Sequence, residues 1–239
     1  MAVLRLDRVS RIHGSGHVQV DALVDVSLSV EAGELVAVMG PSGSGKTTLL
    51  SLAGGLDLPT AGSVLVDGSD LATLNRAELA RLRRHSVGYV FQQFNLIPGL
   101  TAAENVSLPL ELDGVNRKEA YGAAVDALAR LEMAGLENRF PDDLSGGEQQ
   151  RVAIARAIIG DRRLLLADEP TGALDSMTGE TVLRLMRRHC DNGGAAVLVT
   201  HDARFAAWAD RIVFLHDGRV VDEAMASTPE SLLADGTAL

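Results

Sequence analysis

The 239-residue sequence has a single cysteine, Cys190, which excludes an internal disulfide and leaves no cysteine spacing for a metal. One thiol in a chain of this size fits a reduced compartment. Positive charge is also scarce: 22 basic residues face 32 acidic ones, for a formal net charge of −10. That balance argues against nucleic acid or an anionic lipid surface as the main partner. Aromatic residues make up only 3% of the chain. No apolar run approaches the roughly 18–20 residues of a membrane helix, and the first residues lack the apolar core of a secretory signal. Lysine is nearly missing as well. Lys46 and Lys118 are the only two, so a bias toward arginine has spared these positions.

What is present is 46% hydrophobic and long enough for one large domain with a substantial core. From Val24 to Val30 apolar and polar residues alternate, as in a half-buried strand. Residues 34–39 form a continuous apolar run, the pattern of a strand covered on both faces. A glycine-rich loop follows, and then a helical pattern from Thr47 to Ala53. Further strands are expected at 63–67, 87–91, 164–167 and 196–200, with a hairpin over 211–221 and a short terminal helix from Thr228 and Pro229. Residues from about 97 to 160 read as helical and as an insertion between core strands. The alternation of strand and helix indicates an α/β fold with a mostly parallel sheet.

Three segments carry chemistry. The loop Gly40, Pro41, Ser42, Gly43, Ser44, Gly45, Lys46, Thr47 places glycines, a lysine and a hydroxyl between a buried strand and a helix. Its backbone N–H groups form an anion nest at a helix N-terminus, Lys46 suits β- and γ-phosphates, and Thr47 suits Mg²⁺. The second segment is the strand end at Asp168 and Glu169, where open α/β sheets bind ligands. Asp168 suits Mg²⁺ and Glu169 suits activation of a water, so the pair points from binding of a nucleoside triphosphate to its hydrolysis. The third segment is Ser145, Gly146, Gly147 and Glu148. Ser145 and Glu148 have capping-box spacing, but capping needs no glycine at 146 or 147. Two glycines there leave a second helix N-terminus open to an anion.

The octet from Leu144 to Arg151 resembles the signature sequence of ATP-binding cassette (ABC) proteins, and the resemblance spans essentially the whole chain. It implies a P-loop NTPase (RecA-like) core at about 1–96 and 161–239, with an N-terminal antiparallel β subdomain and a helical subdomain at about 97–160. It also implies roles for residues that are weak signals alone. Gln92 matches the Q-loop, a γ-phosphate sensor and Mg²⁺ ligand that faces a membrane partner. His201 matches the switch histidine, and Asp175 the D-loop. Thr48 joins the phosphate-loop contacts. His13 stands where such cassettes stack an aromatic residue on adenine, a departure that implies weaker base recognition or a contribution from another residue.

The resemblance further implies a head-to-tail homodimer in which each ATP lies between the phosphate loop of one copy and Ser145, Gly146 and Gly147 of the other. The segments 91–106 and 167–176 are similar to the subgroup serving lipoprotein release, macrolide export and bacterial cell division. That implies an ATPase on the cytoplasmic face of the cell membrane, bound to a permease supplied by a separate chain. The apolar stretch 94–100 is then expected to lie in the helical lobe or to line a groove for the permease. A soluble cassette acting on DNA or ribosomes is the alternative, disfavoured by the acidity and by the lack of coiled-coil or zinc insertions. A kinase would share the phosphate loop but gives no reason for the octet.

Overall fold

The computed structural model describes residues 2–14, 19–172 and 176–225. β1 (Ala2–His13) and β2 (Val20–Glu31) pair antiparallel, with Leu4 opposite Val30, Leu6 opposite Leu28 and Val9 opposite Val26. All six of these residues are buried, which is the outcome the alternating pattern of β2 calls for. β3 (Leu35–Met39) is different: its first four residues are all buried. After the glycine-rich loop come α1 (Lys46–Ala53) and β4 (Ala61–Val66), and β4 returns to pair with β1. With β5 (Ser69–Asp70) these strands form an antiparallel sheet of order β2-β1-β4-β5.

α2 (Arg76–Ser86) falls where the sequence suggested no element. It opens with a capping box: the Asn75 side chain accepts from the Glu78 N–H, and the Glu78 carboxylate accepts from the Asn75 N–H. Leu79 is its only buried residue, so the helix lies on the surface and carries almost no apolar period to read.

β6 (Val87–Val90) is followed by α3 (Ala102–Leu112), α4 (Arg117–Ala129) and α5 (Gly146–Ile158). Small side chains let these helices approach closely, with Ala103, Val106, Ala124, Leu128 and Val152 fully buried between them. The rest of the chain alternates strand and helix: β7 (Leu164–Asp168), α6 (Ser176–Asp191), β8 (Ala195–Val199), α7 (Ala203–Ala206), β9 (Arg211–His216) and β10 (Arg219–Met225). The terminal helix expected near Thr228 lies outside the described residues.

The second sheet has the order β10-β9-β3-β8-β7-β6. Neighbours run parallel except at the β9–β10 hairpin. Alternate residues of one strand feed different cores. Leu35 and Ala37 join a cluster with Leu165, Leu198 and helices α3 to α5, whereas Val36 and Val38 join Leu164, Val197, α1 and the antiparallel sheet. The unbroken apolar runs therefore reflect two apolar layers, one on each side. Because β3, β8, β7 and β6 are adjacent and parallel, their C-terminal ends come out side by side along one edge.

Candidate active site

Each of those four strand ends delivers a chemical group. The glycine-rich loop leaves β3, His201 follows β8, Asp168 and Glu169 close β7, and Gln92 follows β6. Together they line a cavity of about 400 Å³. Topology thus gathers residues that are far apart in sequence, as expected at the carboxyl edge of an open α/β sheet.

The glycine-rich loop is seated by main chain against main chain. A Cβ at Gly40 would lie 2.0 Å from the Leu215 carbonyl oxygen, and one at Gly45 would lie 2.3 Å from that of Ala22. Behind the loop, the Gly218 N–H donates to the Ser44 carbonyl at 3.0 Å and the Val24 N–H donates to the Gly218 carbonyl at 2.8 Å. The loop is therefore wedged between β2 and the β9–β10 turn. Lys46 Nζ donates to the carbonyls of Gly40 at 2.9 Å and Pro41 at 2.7 Å. An ammonium has three N–H donors, so one remains to meet an anion in the cavity. The Ser44 hydroxyl is buried and, among the described residues, has no hydrogen-bond partner. A buried donor without a partner beside an anion nest fits a phosphate oxygen.

On the opposite wall the Thr47 hydroxyl donates to Asp168 Oδ2 at 2.8 Å. Burial holds the Asp168 carboxyl above the usual carboxylate range; Glu169 adds to this, while the Thr47 hydroxyl and Lys46 oppose it. Among the described residues no group of three His, Cys, Asp or Glu side chains could hold a metal. A hydroxyl and one carboxylate suit a hard cation that brings phosphate oxygens with it, which is how Mg²⁺ is usually held.

Glu169 leaves β7 in the left-handed region, with φ 47°, and its N–H donates to the Val199 carbonyl at 2.9 Å. That conformation is costly for a residue with a Cβ. It sets the carboxylate between two partners: Gln92 Nε2 donates to Oε2 at 3.5 Å, and His201 Nδ1 lies 3.2 Å from Oε1. A carboxylate held from both sides at the mouth of a phosphate cradle has the geometry of a base that orients water.

Of the residues singled out from sequence, Gly40, Ser42, Gly43, Gly45, Lys46, Thr47, Thr48, Gln92, Asp168, Glu169 and His201 line the cavity. Pro41 contributes its carbonyl, and Ser44 sits behind the loop. His13 is exposed at the end of β1, opposite Val20, and is not in the lining. Asp175 lies outside the described residues. Ser145 and Gly146 are exposed and, with Gly147, take no part in the lining. The capping box there is formed: Ser145 N–H donates to Glu148 Oε2 at 2.7 Å, and Glu148 N–H to Ser145 Oγ at 3.3 Å. The structure adds Val20, Asp21 and Ala22 to the cavity wall. Their sequence reads only as the start of a strand, and nothing in its pattern points at a ligand.

Comparison with known proteins agrees with this geometry. Residues 23–172 match the ABC transporter family. The macrolide export ATP-binding/permease protein MacB of Salmonella typhimurium is 47% identical over 220 residues, 92% of this chain and 34% of that protein. MacB of Rhodospirillum rubrum is 46% identical over 227 residues, 95% of this chain and 35% of that protein. The chain thus spans about a third of the length of the curated relatives it matches. Among solved structures, the ATP-binding cassette MJ0796, in a dimeric post-hydrolysis state bound to ADP and Pi, superposes with a TM-score of 0.89 at 43% identity. That match covers 94% of this chain and 99% of MJ0796. The expected likeness to macrolide-export cassettes holds, and the chain belongs to the ABC transporter family, as an ATP-binding and ATP-hydrolysing cassette.

Proposed function

We propose that this cassette works as a head-to-tail pair that drives a membrane permease, each ATP being held between the phosphate loop of one copy and Ser145, Gly146 and Gly147 of the other. The observation that carries this reading is the position of α5. Its capped, glycine-bearing N-terminus is exposed yet contributes nothing to the cavity of its own chain. A helix end built to receive an anion, but separated from the phosphate cradle, fits a site completed by a second copy. The MJ0796 cassette, itself described as dimeric, supports pairing of two copies.

In this reading the loop N–H groups, Lys46 and Ser44 bind the triphosphate, while His13 and the wall formed by Val20, Asp21 and Ala22 lie toward the nucleoside. Thr47, Asp168 and Gln92 would hold Mg²⁺, which when bound neutralises charge on the β- and γ-phosphates. Glu169 takes the proton of the attacking water, and Gln92 and His201 keep its carboxylate aimed. Loss of the γ-phosphate removes the group that joins the two copies, so the pair reopens.

The segment containing α3 to α5 acts as a helical lobe that meets the permease, and the cassette sits on the cytoplasmic face of the membrane. Among the described residues no helix is long and apolar enough to cross a membrane, so the spanning part would come from elsewhere. The sequence likeness to MacB favours an export or mechanical-transmission partner over a nucleic acid.

Glu169→Gln tests the reading. It should retain ATP binding, lower turnover by about 10²–10⁴-fold and yield an ATP-dependent dimer by light scattering. Unchanged turnover would remove Glu169 as the base, and a strictly monomeric ATP complex would remove the shared site.

A further inference from the structure

Thr47 and Asp168 face each other from different elements, α1 and β7, so the distance between them depends on how α1 is seated on the sheet. One side chain outside the cavity lining governs that seat. Tyr89, half-buried in β6, stands opposite Leu166 of β7, and both pack in the cluster that holds the leucines of α1. Asp168 follows Leu166 by two residues and shares its face of the sheet. Tyr89 therefore lies on the same side as the Asp168 carboxylate, beneath α1.

The contacts there are close. A Cβ at Gly54, just past α1, would lie 3.2 Å from Tyr89 Cδ2 and 3.2 Å from Leu166 Cδ1, so the end of the helix rests on both strands at once. Ser51 stands four residues after Thr47 and thus on the same face of α1, and its hydroxyl is the hydrogen-bond partner of the Tyr89 phenol. Two hydroxyl links, about 6 Å apart along the helix axis, then tie α1 to neighbouring strands: Thr47 to Asp168 on β7, and Ser51 to Tyr89 on β6. Tyr89 is itself held in place by stacking on Phe91, with ring centroids 4.1 Å apart. Burial holds its phenol above the usual tyrosine range; the Asp168 charge adds to this, and Ser51 opposes it. The hydroxyl stays neutral, and so can stand near a carboxylate without repelling it.

We propose that Tyr89 is a positioning residue for the metal site: through its link to Ser51 it fixes how α1 sits on the sheet, and hence the spacing of Thr47 and Asp168 around Mg²⁺. Mg²⁺ demands near-ideal octahedral geometry, so a small error in that spacing weakens the ion more than the triphosphate, which the loop and Lys46 grip separately. The proposal rests on the reading that Thr47 and Asp168 hold the ion, and the two can fail separately.

The test measures affinity for a fluorescent ATP analogue, in EDTA and across a Mg²⁺ titration, together with melting temperature and kcat. The variants are Tyr89→Phe, Ser51→Ala, the two combined, and Asp168→Asn. In each of the first two, affinity in EDTA should stay within about twofold, while the Mg²⁺ midpoint should rise about tenfold, the lower end of what groups supporting a metal ligand contribute. Turnover should fall at limiting Mg²⁺ and recover when Mg²⁺ saturates. The combined variant should be no worse than either single one, because both remove the same link. A folded Tyr89→Phe with a wild-type midpoint overturns the proposal. So does an equal loss of affinity in EDTA and in Mg²⁺, which marks a purely structural role, or an additive effect in the combined variant. Should Tyr89→Phe not fold, Ser51→Ala decides by the same midpoint. If Asp168→Asn also keeps the wild-type midpoint, it is the reading of the metal site that falls.

Discussion

Gly43 and Gly45 both occupy the left-handed region, at φ 80° and φ 103°, within the same phosphate loop. Their surroundings differ sharply. A Cβ at Gly43 meets nothing within 4 Å, whereas one at Gly45 would lie 2.3 Å from the Ala22 carbonyl oxygen and 2.8 Å from Leu23 Cδ2. Gly43→Ala therefore carries only the backbone cost of a left-handed L-residue, about 1–2 kcal/mol. Gly45→Ala carries that cost and must also push β2 away by roughly 1 Å, an overpacking strain of about 1–3 kcal/mol in comparable cases. The second variant should then be destabilised by about 2–5 kcal/mol. At about 2–4 °C per kcal/mol for a chain of this size, Gly43→Ala should melt a few degrees below wild type and Gly45→Ala considerably lower. Calorimetry without nucleotide measures both, and titration with ATP reports whether the loop still binds, since a ligand raises Tm according to its affinity. Gly45→Ala should lose most of the ATP-induced rise. If the two variants melt together, wedging of the loop against β2 is not what fixes its shape.

Lys46→Ala should leave the fold intact and weaken ATP binding at least tenfold, because it removes a cation of the cradle and a charge-assisted contact of about 1.5–3 kcal/mol; wild-type affinity by calorimetric titration would contradict its role. Asn105, fully buried, accepts from the Ile97 N–H and donates to the carbonyls of Ile97, Leu100 and Thr101. Asn105→Leu strands several of these groups at about 1–3 kcal/mol each, so urea unfolding should lose about 3 kcal/mol or more; a loss under 1 kcal/mol would refute the accounting. The Cys190 thiol is pushed up to about 12 by burial, so at pH 8 iodoacetamide should label it only under denaturant. Rapid labelling of the folded chain would show that Cys190, at the end of α6, is not buried as the structure has it.

Legibility followed the range of the signal. The unbroken runs of β3, β7 and β8 were readable because burial on two faces leaves its mark residue by residue. Lys46 was readable because a glycine-rich loop between a strand and a helix announces it, and Asp168 and Glu169 because they sit where a strand stops. α2 was missed because a surface helix with one buried residue has no apolar stripe. Gln92 and His201 needed a family resemblance: alone each is a polar residue after a strand, and only the order β8-β7-β6 brings both against Glu169. The grip of the Arg156 guanidinium on Phe94 and Asn95 was beyond reach, since its partners are carbonyls some sixty residues away and a carbonyl has no letter in the sequence.

That last property applies with most force to the wedge around the phosphate loop. Gly40 and Gly45 touch the main chain of Leu215 and Ala22, and Gly218 reaches Ser44 through its amide. At Gly40 and Gly45 the fit constrains the glycines tightly and asks chiefly for the carbonyls of Leu215 and Ala22, a demand separate from the packing of the Leu215 side chain in the core. Over evolutionary time the loop can stay fixed in sequence while the strands that shape it change identity. A designer could likewise rewrite those strands to suit another partner, provided their backbone path is kept.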